Sequence, residues 1–127
     1  MLRAVGSQPY AQGDWIVTDA SGAGLTFTAN ETAKWTRIGR QVTAYADITF
    51  PATADGSDAA FDGLPFANGL TIASGHTGFN ASATAFSLWM PASGTIVRPT
   101  TINNASAVAN SVFSGKRIMF CITYFVP

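Results

Sequence analysis

Residues 42–50 alternate without a break. Val42, Ala44, Ala46, Ile48 and Phe50 are apolar, and Thr43, Tyr45, Asp47 and Thr49 fill the positions between them. A period of two puts each set on one face of an extended chain, so the segment predicts a half-buried antiparallel strand, ended by Pro51. Residues 34–38 predict its hairpin partner, joined through Gly39-Arg40. Glycine in the first position of a two-residue turn suits type II′ geometry.

Shorter strands are predicted over 14–18 and 24–28, around a loop at 20–24, with a polar loop over 51–62. Residues 64–72 return to apolar composition around Pro65. They predict an edge or bulged strand, because proline cannot donate to a ladder. In 83–90, Thr84, Phe86, Leu88 and Met90 alternate with smaller residues and Trp89. Residues 95–98 predict a short strand, and 103–110 a loop or irregular bridge. In 118–126, Ile118, Phe120, Ile122, Tyr124 and Val126 share one face, while Met119, Cys121 and Phe125 make the other apolar as well. That is the pattern of a central strand, or of one with a face against a neighbouring subunit. Helical periodicity is weak, and Gly and Pro recur at short intervals. The expected fold is all-β: an antiparallel β-sandwich of jelly-roll-like type, one domain over 1–127, with residues 1–13 as an N-terminal arm.

The length of 127 residues suits one domain. Hydrophobic residues make up 47% and charged residues 11%, against about 25% charged in an average domain. Disorder needs the opposite balance. The formal net charge is zero, so the basic footprint of a nucleic-acid binder is missing and no nucleic-acid partner is expected. So few charges suggest that much of the surface faces other chains. The single cysteine, Cys121, excludes an intrachain disulfide and a Cys-rich zinc site. The apolar stretch at 111–126 is broken by Gly115, Lys116 and Arg117, so membrane insertion is not expected. Residues 1–13 carry one Arg and no apolar run, unlike a secretory signal.

Two segments carry a family resemblance. The stretch Trp35-Thr-Arg-Ile-Gly-Arg-Gln-Val-Thr-Ala-Tyr-Ala-Asp-Ile-Thr-Phe50, followed by Asp62-Gly-Leu-Pro-Phe66, resembles a segment of bacteriophage tail-fibre and other virion receptor-binding proteins. The likeness covers residues 15–66. The final strand, ending Tyr124-Phe125-Val126, is loosely similar, and residues 72–114 match nothing in that pattern. The resemblance implies a C-terminal head domain with a β-sandwich fold, assembled as a homotrimer and binding host-surface glycans. It further implies contacts with other virion proteins and a place in the virion after synthesis in the host cytoplasm.

The residues themselves offer few candidates for chemistry. His76 is the one histidine, and Ser74 lies beside it in Ser74-Gly-His-Thr-Gly78, but no nucleophile-elbow pattern surrounds them. Asp55, Asp58 and Asp62 share a loop whose spacing matches no EF-hand. Nothing in that spacing selects a glycosidase pair. Arg37, Arg40, Lys116 and Arg117 read as solvated strand ends. No catalysis, cofactor or metal site is expected. Sugars stack on aromatic faces while amides and carboxylates bond their hydroxyls, so exposed aromatics beside polar loops are the candidates. Trp15 and Trp35, on strands, are expected in the core. Trp89 near a strand end, the loop His76-Thr-Gly-Phe79-Asn80, and the amides Asn103 and Asn104 form the expected ligand-binding set. The alternatives are a structural virion protein binding only protein, a glycan-degrading enzyme, and a monomeric lectin-like module.

Overall fold

The computed structural model describes residues 10–69 and 73–127. Among these the strands are β1 (Tyr10–Trp15), β2 (Thr18–Asp19), β3 (Thr28–Ala29), β4 (Ala33–Ile38), β5 (Gln41–Thr49), β6 (Phe61–Asp62), β7 (Ala73–Asn80), β8 (Phe86–Trp89), β9 (Arg98–Thr101) and β10 (Arg117–Phe125). One turn of 3₁₀ helix, Asn110–Phe113, precedes the last strand. The chain is an all-β, sandwich-like domain built on a large antiparallel sheet.

The strand order of that sheet is β1-β4-β5-β10-β7-β8-β9, with β3 continuing alongside the far end of β5. The second layer is thinner. It consists of the β2-β6 ribbon and extended segments tied by the bridges Phe61↔Val97 and Asp58↔Ala109. The β4-β5 hairpin forms in the expected register, Ile38 against Gln41 through Thr36 against Thr43. Gly39 sits at φ 59° while Arg40 keeps a negative φ, which is the type II′ signature.

β10 is the central strand. It pairs with β5 from Arg117↔Thr49 to Phe125↔Gln41, and with β7 on its other side. Its inward residues Ile118, Phe120, Ile122 and Tyr124 are all buried, as is Val126 just after it. Opposite them the β6 ring of Phe61 stacks on Phe120 at 5.0 Å, and Phe113 of the 3₁₀ turn lies 5.0 Å from Phe50. Each such side chain withdrawn from water contributes roughly 1.5–3 kcal/mol, which is why the aromatics gather between the layers. Trp15 is buried here as expected. Trp35 is half-buried, edge-on to Phe66 at 5.0 Å.

Several expectations are corrected. Tyr10–Gly13 is not an arm but the start of β1, paired to β4; residues 1–9 lie outside the described residues. The strand expected at 14–18 breaks between Trp15 and Thr18, and that expected at 24–28 shrinks to Thr28–Ala29. The side chain of Asp19 captures the Ser21 and Leu25 amides and holds the intervening chain as a loop. The polar loop at 51–62 ends as β6, with Ala59, Ala60 and Phe61 buried. Residues 64–69 form no strand, and 70–72 of that expected strand lie outside the described residues. β9 starts at Arg98, so the strand expected at 95–98 is displaced towards the C-terminus. Most consequentially, 76–80 is no loop: His76, Phe79 and Asn80 belong to β7.

Candidate functional site

β8 and β9 form an antiparallel hairpin with Phe86↔Thr101, Ser87↔Thr100, Leu88↔Pro99 and Trp89↔Arg98 in register. Alternation sends Phe86 and Leu88 into the core and leaves Trp89 outside, 40% exposed. Arg98 and Thr100 stand on the same outer face. Beyond β9 the sheet edge is covered: Thr100 bridges to Ala107, and Asp58 bridges to Ala109. A cleft of about 590 Å³ results, lined by Asp58, Trp89, Arg98, Thr100, Ala105 and Ala107 among others. A volume of this order suits one or two sugar-sized units.

The covering loop owes its shape to local polar bonds. Asn104 accepts hydrogen bonds from the Thr101 hydroxyl and the Ser106 amide, and Ala105 takes a positive φ of 53°. The Asn104 carbonyl is therefore committed to the turn, leaving its NH₂ for a ligand. Asn103 is exposed on the same loop.

The expected ligand set does not converge on one spot. Trp89, Asn103 and Asn104 belong to the cleft and its covering loop. Asn80 is engaged locally. Its Nδ2 donates to the Thr84 carbonyl at 2.9 Å, and its Oδ1 accepts from the Ser82 amide and hydroxyl at 2.9 and 2.6 Å. It shapes the β7-β8 turn, so both ends of its amide are occupied. His76 and Phe79 lie exposed on the outer face of β7, opposite Cys121 and Met119 of β10. Phe79 carries the Arg117 guanidinium 5.8 Å above its ring. His76, Tyr45, Met119 and Cys121 border a shallower depression of about 190 Å³. Burial pushes the Cys121 thiol above its ordinary value, so it is a poor nucleophile at neutral pH. Ser74 and His76 share the outer face of β7 two residues apart, with no hydrogen bond between them.

The three loop aspartates separate. Asp55 accepts from the Asn110 amide at 2.8 Å and from Ser57; these bonds, Asn110's foremost, hold its carboxyl below the ordinary value. Asp62 Oδ1 accepts from the Gly63 amide and the Thr95 hydroxyl, both at 2.7 Å. Asp58 lines the cleft. Among the described residues no group of three His, Cys, Asp or Glu is placed to hold a metal ion. Arg37 and Arg40 lie at the opposite end of β5 from Lys116 and Arg117, so the four make no joint patch.

Sequence reasoning missed Arg98 and Asp58. Arg98 had a signal: reading 86–89 and 98–101 as one hairpin sets it opposite Trp89. Asp58 had none, because its neighbours come from distant chain segments. No protein-family model matches the chain, and no curated protein matches it as a relative.

Proposed function

We propose that this chain is the head domain of a viral, phage-type appendage that recognises the host cell surface by binding glycans, as a homotrimer and without catalysis. The observation that carries the glycan reading is the Trp89 cleft. A half-exposed indole lines it beside an arginine, an aspartate and a threonine, the remaining lining being alanine and proline. An apolar platform with a few placed polar groups is what a sugar ring needs. Individually weak sites of this kind gain strength when several copies engage one surface.

Assembly is supported by Tyr10 and Ile38. They face each other across β1 and β4 and are 61% and 56% exposed, an apolar pair at a sheet edge that suits a subunit contact. The same pair is the feature that favours the second reading, a structural virion protein binding only protein.

Light scattering on a sizing column comes first: the trimer elutes at roughly 40 kDa, and a 13.3 kDa species sinks that part of the proposal. A glycan array then separates the readings. The native chain binds a defined set of glycans and a Trp89→Ala variant loses them. An assembled chain that binds no glycan on the array leaves the structural reading in its place.

A further inference from the structure

We infer that the saccharide held at Trp89 carries a carboxylate, and that Arg98 selects it; this rests on the glycan-binding reading above. Four arginines lie among the described residues, and three are occupied. Arg37 donates from Nε to the Gly39 carbonyl at 2.8 Å, Arg40 to the Val126 carbonyl at 3.1 Å, and Arg117 grips Asp47. The Arg98 side chain alone has no hydrogen-bond or ion-pair partner among the described residues. It is also half-buried, packed along the cleft rather than extended into open solvent.

Its position gives that free charge a direction. Arg98 is the cross-strand partner of Trp89 on the outer face of the hairpin, which puts the two Cβ atoms about 5 Å apart. A sugar ring stacked on the indole holds a carboxylate substituent at its rim within reach of the guanidinium fork. That fork matches a carboxylate with two parallel N–H···O bonds.

The cleft also says which anion. Asp58 lines the same cleft, exposed and with no side-chain partner among the described residues. The cleft therefore holds one positive and one negative charge. For a phosphate of charge about −2, the attraction to Arg98 and the repulsion from Asp58 both double and offset one another. The cost of withdrawing the anion from water rises faster than its charge, so a singly charged acid is favoured, and Asp58 remains free to accept sugar hydroxyls.

The test is an array of matched acidic, phosphorylated and neutral oligosaccharides. Calorimetric titration of the tightest carboxylate-bearing glycan and of its methyl ester follows. Esterification removes the charge and keeps the ring. The native chain prefers the acid to the ester by about tenfold or more. Arg98→Gln abolishes that preference by lowering affinity for the acid far more than for the ester, and Asp58→Asn raises affinity for the acid more than for the ester. Equal native affinity for acid and ester overturns the inference. So does an Arg98→Gln variant that weakens both alike, or a phosphorylated glycan binding tightest. Binding of neutral glycans that needs Trp89 but not Arg98 overturns acid selection and leaves the parent reading standing. No binding of any glycan overturns both. Thermal midpoints of the variants within a few degrees of native show that the cleft, and not the fold, was changed.

Discussion

Arg117 at the start of β10 grips Asp47 on β5 through two hydrogen bonds, Nε to Oδ1 at 2.9 Å and Nη2 to Oδ2 at 2.6 Å. Asp47 is 5% exposed and takes a further bond from the Asn30 amide at 3.1 Å. The Arg117 bonds, ahead of the partly opposing burial, hold its carboxyl below the ordinary value of 3.8. A carboxyl depressed on folding stabilises the fold fully above its unfolded value. That contribution fades as pH falls through the folded value. Stability of the native chain should therefore decline below about pH 4. Asp47→Asn should be less stable at pH 7 and show a flatter acid limb, as read from urea midpoints across pH.

Phe61 is the hub of the core. It is fully buried, stacks on Phe120 at 5.0 Å, and meets Phe27 at 5.6 Å and Phe50 at 5.9 Å. Phe61→Ala should cost about 3–5 kcal/mol, the range for truncating a buried aromatic. Denaturant unfolding followed by tryptophan fluorescence checks it.

Gly75 lets β8 approach β7. A Cβ there would stand 2.7 Å from the Cys121 carbonyl oxygen and 2.7 Å from the Leu88 Cβ. Neither neighbour is the loose end of a flexible chain. Gly75→Ala should destabilise by about 1–3 kcal/mol, as overpacking does. It should also weaken ligand binding at Trp89, because β8 carries both Leu88 and Trp89. Gly78→Ala, where a Cβ meets nothing within 4 Å, is the control that changes neither.

Tyr124 is buried, and its hydroxyl donates to the Phe66 carbonyl at 2.8 Å, tying the central strand to the irregular segment after β6. Burial raises the phenol's pKa well beyond its ordinary value. Tyr124→Phe keeps the ring and removes the tie, so the expected loss is about 0.5–1.5 kcal/mol. Retention of native stability in thermal melts would count against a structural role for this bond.

Local pattern was enough where one periodicity ran unopposed. The alternation in 42–50 and the Gly39-Arg40 turn gave the central hairpin its register, and the doubly apolar 118–126 predicted either a central strand or one against a neighbouring subunit, of which the sheet order shows the first. Short elements were less legible. Asp19, binding amides on its own loop, outcompetes the ladder at 20–27. Residues 76–80 read as a loop because Gly75, Gly78 and Asn80 are turn formers. Pairing with β10 overrides that preference and absorbs Gly78 as a bulge between Thr77 and Phe79.

The candidate site divides along the same line. Exposure of Trp89 followed from sequence, because Phe86, Leu88 and Met90 claim the opposite face of the strand. Its company did not. Asp58 reaches the cleft through its bridge to Ala109, about fifty residues along the chain, while Ala105 and Ala107 come from the turn after β9 closed by Thr100↔Ala107, and neither contact leaves a periodic trace. Asn80 looked like a free amide until its turn was seen to use both ends.

By itself, then, the sequence determined the all-β class, the β4-β5 hairpin and the inward faces of β5, β8 and β10. All of these follow from the period of two and the cost of leaving apolar side chains in water. Only the tertiary structure decided which strand lies beside which, that His76 faces outward from a sheet, and that Arg98 meets Trp89 in a cleft with Asp58. Those relations depend on pairings between distant segments, where hydrogen bonding is the same for any residue and sequence carries no local record of the partner.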